Sequence, residues 1–250
     1  CENVKALAVL SKWQGVRAEL LERSRKNYRV ALVVLNATMF GVPQMRERMF
    51  IIGLHKDIFT GTDDDLLAIL NENLSMEQKT PKTVGEVVRN LGKAGTKTNS
   101  RTCAAKITFA KSPILRRSPY AGMLFNGAGR PLQSKGWAAT LPASMGGNKT
   151  PIVDEAEIFE DKVSFVEAYH AKVFSGGIGE IGEAPKRLRR LTVDECIAIQ
   201  TFPASYDLAG SKSAQYRQLG NAVPPRLAES VANTLTRILD RAVVASIAAE

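Results

Sequence analysis

Histidine is nearly missing from this chain, with only His55 and His170 among 250 residues. Two histidines so far apart in sequence leave little from which to build a His-based zinc site or a Ser-His-Asp relay. Cysteine is almost as scarce: Cys1, Cys103 and Cys196 are the three present. Widely spaced and odd in number, they make neither a disulfide framework nor a metal site, and they read as reduced thiols of a cytosolic protein. No apolar run approaches the roughly 20 residues of a membrane span. The N-terminus has no apolar core behind a basic start, so no signal peptide is expected. An initiating Met is also lacking, which reads as a processed or truncated product. Internal repeats and low-complexity tracts are absent.

The most informative absence is local. From Val87 to Val153 there is no Asp or Glu, while Arg89, Lys93, Lys97, Arg101, Lys106, Lys111, Arg116, Arg117, Arg130, Lys135 and Lys149 all fall in that window. The whole chain carries a net charge of +9, so this one segment exceeds the entire excess. A solvated basic surface normally has acids interspersed. Their complete loss over such a length points to a polyanionic partner. Lysine and arginine on phosphates displace counterions, which makes binding steeply dependent on salt. Aromatic residues are sparse here (Phe109, Tyr120, Phe125, Trp137), so base-stacking platforms for single strands are not evident and duplex DNA fits better.

What remains is an ordinary globular composition, 44% hydrophobic and 24% charged, with length for one large domain or two smaller ones. The spacing of Leu7, Leu10, Val16, Leu20 and Leu21 predicts a helix over 4–23. Val30 to Leu35 and Met49 to Leu54 read as buried strands joined through Gly41-Val42-Pro43. Asp64 to Leu74 reads as a helix with acids at its N-terminal end. Thr83-Val84-Gly85-Glu86 and Thr192-Val193-Asp194-Glu195 are capping boxes, the second with Leu191 as a staple and Cys196, Ile197 and Ile199 as core. Between Gly92 and Gly182 helical periodicity is weak, and strands and loops are expected. A last helix runs from about Pro225 to Ile247, with Leu227, Val231, Leu235 and Ile238 on one face.

Four motifs stand out: Glu2-Asn3-Val4, Gln44-Met45-Arg46-Glu47-Arg48, Arg189-Arg190-Leu191-Thr192 through Gln200-Thr201-Phe202-Pro203, and Gly220-Asn221-Ala222-Val223-Pro224-Pro225. If the second is extended, alternation puts Gln44, Arg46 and Arg48 on one face. The asparagine of the fourth has donor and acceptor edges for a ligand, or it caps the helix that follows. In this order the four resemble the late motifs of DNA cytosine-5 methyltransferases, and the flanking Asn36 to Pro43 and Phe50-Ile51-Ile52-Gly53 are similar to that family too. The resemblance implies catalytic roles for Glu2, Arg46 and Arg48. Glu2 would meet N3 of a flipped cytosine and Arg48 its O2, drawing electron density from the ring so that C6 is easier to attack. It implies S-adenosylmethionine as cofactor, contacted by Asn221, Ala222 and Val223. It gives Arg189, Arg190 and Glu195 a scaffolding role.

The acid-free window falls where the family inserts its target recognition domain. Gln44, Arg130, Thr140, Leu141, Asn148 and Lys149 are the candidates to touch double-stranded DNA, and the Gly-rich Ala143 to Asn148 reads as a loop close to the backbone. The implied architecture is α/β: a partial Rossmann-like methyltransferase sheet plus a small, irregular, β-rich recognition domain. The expected boundaries are 1–90 for the catalytic portion, 91–186 for the recognition domain and 187–250 for the return. The family's Phe-x-Gly-x-Gly cofactor loop and its Pro-Cys nucleophile occur nowhere in the sequence. An N-terminal half or partner subunit is therefore expected to carry both. The setting implied is the prokaryotic cytosol or nucleoid. A non-catalytic, sequence-specific DNA-binding module and a relict of such an enzyme are the alternative readings.

Overall fold

The computed structural model describes the backbone of residues 1–247 and side chains through Arg241. The chain opens with strand β1 (Glu2–Val4), helix α1 (Lys5–Val9), a 3-10 turn at Ser11–Trp13 and helix α2 (Gln14–Arg25). Strands β2 (Tyr28–Asn36), β3 (Gln44–Met45) and β4 (Glu47–His55) follow, then helices α3 (Asp63–Met76) and α4 (Val84–Leu91). Next come β5 (Phe109–Ile114), β6 (Met123–Phe125), β7 (Ala138–Ala139), β8 (Ile152–Asp154), α5 (Glu155–Glu160) and α6 (Phe165–Phe174). Strand β9 (Leu188–Arg190) and helices α7 (Val193–Ile199), α8 (Lys212–Asn221) and α9 (Pro225–Ile247) complete the order. Packing divides the chain into two units, one of Cys1–Val42, Arg46–Pro81 and the segment from Pro225 on, the other of Pro43–Met45 and Lys82–Pro224. The boundaries expected at 90 and 186 differ from this division. The reason lies in the core: Val84 and Val88 of α4 share one apolar cluster with Val193, Cys196, Ile197 and Ile199 of α7 and with Tyr216 and Leu219 of α8.

In the first unit, β1, β4 and β2 form a three-stranded sheet in that order, antiparallel throughout. The two long strands pair without interruption from Tyr28↔His55 to Asn36↔Glu47. Both runs are β-branched and apolar on both faces, as a strand covered from two sides requires. No parallel crossover occurs within this sheet, so the ligand-binding portion of an open α/β sheet is not among the described strands. Helix α3 starts at a reciprocal capping box between Thr62 and Asp65, with Asp63, Asp64 and Asp65 in its first turn. Asp63 also accepts from Val30 N at 2.9 Å and from Arg25 Nε at 2.7 Å, which ties the helix start to β2. Helix α9 is held to α3 by Arg237, which donates to Glu77 Oε1 at 2.7 Å.

The single helix expected over 4–23 is broken. Leu10 takes extended backbone angles between α1 and the turn, and α2 restarts at Gln14. Helix α2 buries no residue. Leu7, Ala8 and Leu21 pack on the small cluster of Val30, Met49 and Ile51, whereas Leu10, Val16 and Leu20 are exposed beside Val9 and Trp13. That cluster is too narrow to cover a full apolar stripe, so the stripe faces outward.

The second unit is built from short strand pairs: β3 with β7 in parallel, β5 with β6 and β8 with β9 antiparallel. The expected strands and loops are present, but the same region also holds two unexpected helices, α5 and α6. Each has a side-chain N-cap: Asp154 accepts from Glu157 N, and Ser164 accepts from Glu167 N. Their apolar faces are short, which hides them from a periodicity reading. Phe109, Phe125, Phe165 and Tyr169 then gather into an aromatic cluster, with centroid separations from 4.8 to 6.3 Å. The capping boxes at Thr83 and Thr192 form as expected. Asn221 closes α8 as its last residue, and α9 begins at Pro225.

Candidate functional site

Three of the expected residues meet in the first unit. Glu2 lies opposite Phe50 in the β1–β4 register, and Val4 lies opposite Arg48. Glu2 and Arg48 are therefore diagonal neighbours on one face of the sheet. Their side chains form an ion pair, Arg48 Nε to Glu2 Oε1 at 3.0 Å, with Arg48 also donating to Glu47 O at 2.8 Å. Arg46 precedes β4 and is 0% exposed, with its carbonyl fixed by Ala37 N at 2.9 Å. Burial, and then repulsion from Arg48, lower its pKa to about 10, and Glu2 works the other way. Burial likewise lowers the Arg48 pKa against the pull of Glu2. Two desolvated guanidinium groups are thus held beside one carboxylate. Such a cluster has a surplus of positive charge and N–H donors, suited to a ligand with electron-rich oxygens or ring nitrogens.

Gln44 and Leu141, expected at DNA, are both buried in the second unit. Gln44 Oε1 accepts from Leu141 N at 3.2 Å, and Gln44 and Met45 pair with Ala138 and Ala139. Gln44, Arg46 and Arg48 are all buried while Met45 and Glu47 between them are exposed, so burial alternates along this stretch even though the strand assignment is interrupted at Arg46. Thr140 is exposed at the surface and donates to Met45 O at 2.7 Å. Together these contacts hold the chain from Ala138 to Leu141 beside β3.

Arg130, Thr140 and Lys149 line one concave cleft of about 470 Å³ in the second unit, together with Met45, Tyr120, Gln133 and Trp137. Sequence spacing scatters Tyr120 and Trp137; folding gathers them with the cations. No acid lines the cleft. Elsewhere in the acid-free window, Arg89, Arg101 and Lys106 are neutralised by Asp161, Asp194 and Glu183 from outside it. Arg130 and Lys149, the two window cations that line the cleft, are not among these pairs. Asn148 is exposed beside Lys149, on a turn where Gly146 and Gly147 have positive φ.

Arg190 holds this surface from beneath. It is buried, and its guanidinium donates to Gly129 O at 3.2 Å, Thr150 O at 2.8 Å, Asn126 O at 2.9 Å and Asn126 Oδ1 at 3.0 Å. The loops carrying Arg130 and Lys149 are joined through one side chain. Gly129 is required where they touch, since a Cβ there would lie 1.9 Å from Thr150 O. Arg189 beside it pairs with Glu195 at 2.7 Å and Glu155 at 3.0 Å; burial opposes its charge, and the two carboxylates outweigh that and raise its pKa. Arg189, Arg190 and Glu195 thus do scaffold the fold.

The Gly220 turn packs tightly, because a Cβ at Gly220 would lie 2.4 Å from Pro142 O. This close approach leaves Asn221 exposed, with Ala222 and Val223 half-buried. An exposed amide with both donor and acceptor edges can meet one polar edge of an amino-acid-like ligand. Among the described residues, no group of three or more His, Cys, Asp or Glu side chains is arranged to hold a metal ion.

A family model described as C-5 cytosine-specific DNA methylase matches residues 1–237. Among curated proteins, the chain is 26% identical over 242 residues to Type II methyltransferase M.AplI of Arthrospira platensis, covering 96% of this chain and 56% of that protein. It is 29% identical to Type II methyltransferase M1.HphI of Haemophilus parahaemolyticus, covering 95% of this chain and 56% of that protein. The chain thus spans about half the length of the curated relatives it matches. Among solved structures, the S. pombe Dnmt2 methyltransferase aligns with a TM-score of 0.57 at 16% identity, over 96% of this chain and 66% of that one. That likeness is one of fold.

Proposed function

The chain belongs to the C-5 cytosine-specific DNA methylases, and from that membership we propose that it supplies the base-gripping and DNA-recognizing part of such an enzyme. The observation that carries the reading is the meeting of Glu2 with Arg46 and Arg48 at one end of β4. In this role the Glu2 carboxyl engages N3 of a cytosine flipped out of the duplex, and Arg48 donates to O2. Both contacts draw electron density from the ring as a nucleophile adds to C6, which is where stabilisation accelerates the step. The ion pair between Glu2 and Arg48 keeps the two groups oriented before the base arrives, and Arg46 holds positive potential behind them. S-adenosylmethionine, when bound, supplies the methyl group that C5 receives. Asn221, Ala222 and Val223 fit one edge of its site, and the exposed Asn221 amide matches its polar part.

The attacking thiolate would come from outside these residues, because none of Cys1, Cys103 and Cys196 stands in a Pro-Cys pair. Cys196 is buried, and desolvation first and Glu195 second raise its pKa well above the ordinary value, so it is no nucleophile. A further segment bearing Pro-Cys and the cofactor loop would supply the missing chemistry. The exposed stripe of Val9, Leu10, Trp13, Val16 and Leu20 and the unextended outer edge of β1 support such a segment as a cover. In the second unit, Arg130, Lys149, Asn148 and Thr140 would face DNA, with Gln44 and Leu141 fixing the backbone at Thr140 and Arg190 joining the other two loops. This unit then serves as the target recognition domain.

The test is methyl transfer from radiolabelled S-adenosylmethionine to mixed-sequence duplex DNA. The chain alone should transfer none, and addition of a separately expressed Pro-Cys-bearing N-terminal half should restore transfer. Glu2→Gln or Arg48→Met in the reconstituted enzyme should then lower kcat about 100-fold or more. Robust transfer by the isolated chain would overturn the reading. Tight sequence-specific binding that no such half alters would favour a binding module instead.

A further inference from the structure

The cleft in the second unit has a property that reading duplex edges does not explain. Trp137 is 41% exposed inside a concavity, and Tyr120 lines the same space. A stacked duplex offers phosphates and base edges to a protein, and its base faces are covered by neighbouring pairs. An indole face in a pocket is satisfied by a flat ring that has left its stack. The volume, about 470 Å³, holds one nucleotide comfortably. Arg130 and Lys149 are the charged residues of its lining, and Gln133 adds an amide with donor and acceptor edges.

Tyr120 cannot turn freely into solvent. Its hydroxyl donates to Glu167 Oε1 at 2.9 Å, and burial followed by that carboxylate raises its pKa, so it stays a neutral, fixed wall. Met45, beside β7, closes another side and is itself exposed. Aromatic, aliphatic and cationic surfaces therefore converge on one cleft without a carboxylate to repel phosphate.

We infer that this cleft receives a single nucleotide displaced from the DNA stack, its base against Trp137 and its phosphate between Arg130 and Lys149. This is a second nucleotide site, built from residues of the second unit, whereas Glu2, Arg46 and Arg48 belong to the first. It rests on the reading of DNA as substrate and deepens it: the recognition unit favours duplexes that can give up a base locally. Unstacking is least costly at a mismatch or bulge, so such sites report the preference most clearly.

The experiment uses the full chain with Trp13→Phe, leaving Trp137 as the sole tryptophan. Binding is followed by tryptophan quenching and gel shift with mixed-sequence duplexes that are fully paired or carry one bulged purine. The bulged duplex is expected to bind about tenfold more tightly and to quench Trp137 more strongly. On the same background, Trp137→Ala should erase that preference while leaving paired-duplex binding in place, and Trp137→Tyr should keep most of it. The doubly substituted Arg130→Ala, Lys149→Ala chain should bind both duplexes more weakly. Equal affinity for bulged and paired DNA, or a preference that survives Trp137→Ala, overturns the nucleotide cleft and leaves the DNA reading standing. Failure of the chain to bind either duplex overturns the DNA reading itself, and the cleft with it.

Discussion

Arg190 shows how much one side chain can carry when its geometry is planar and its surroundings are dry. Its donors reach three backbone carbonyls and one amide oxygen on two loops. Burial lowers its pKa, yet the two terminal nitrogens of its planar fork make all four of these bonds. Arg190→Ala should cost about 3 kcal/mol or more in urea unfolding, because buried carbonyls are left without donors. Arg190→Lys should recover only part, since one ammonium cannot span both loops. A loss below about 1 kcal/mol in either variant would show that the staple is dispensable. The sequence places Arg190 correctly as scaffold through its motif. The Glu2 and Arg48 pair is legible the same way, as two short motifs in the right order. What it cannot display is the assembly of Tyr120, Trp137, Arg130 and Lys149, because nothing local in those positions marks a shared cleft. The signal that was available was modest: two aromatics inside an acid-free window.

At the scale of elements, the helix starts were the most legible features. Thr62, Thr83 and Thr192 each form the reciprocal box with the acid three residues on. These boxes work over three residues and need no tertiary partner, which is why those at Thr83 and Thr192 are legible in sequence, while at Thr62 only the acids of the first turn are expected. Helices α5 and α6 lack a long apolar face and lie between segments rich in Gly and Pro, so only Asp154 with Glu157 and Ser164 with Glu167 announce them. The break at Leu10 was invisible for the opposite reason: the apolar spacing continues through it. Not all caps are equal once packed. Thr62 is exposed, whereas Thr192 is buried and its hydroxyl also donates to Asn99 Oδ1, whose amide in turn donates to Glu195 Oε1. Thr62→Ala should cost about 1 kcal/mol and Thr192→Ala about 2–3 kcal/mol in denaturant melts. Equal losses would mean the Asn99 link adds nothing.

For the molecule as a whole, alkaline pH is the revealing variable. Cys196 and Tyr216 belong to one core, and burial raises both pKa values above their ordinary 9.0 and 10.0. The folded chain keeps these two protons at a pH where the unfolded chain has begun to lose them. Their contribution is complete below about pH 9 and falls as pH climbs, by about 1.4 kcal/mol per pH unit for each group above its ordinary value. Urea unfolding at pH 7 and pH 10.5 should show this loss, and Cys196→Ala should reduce it. An unchanged pH slope in that variant would place the alkaline sensitivity elsewhere.

The Arg190 staple also imposes an order on synthesis. The Asn126 and Gly129 loop and the Thr150 loop leave the ribosome well before residue 190 does. Until it arrives, the Asn126, Gly129 and Thr150 carbonyls lack the donor that joins them, and the surface bearing Arg130 and Lys149 rests on its own backbone hydrogen bonds alone. A nascent chain halted before β9 would thus be basic and loosely ordered, an adhesive for any nucleic acid nearby. Under the DNA-recognizing role proposed above, selectivity would be acquired late, with the arrival of a residue beneath the surface that bears Arg130 and Lys149.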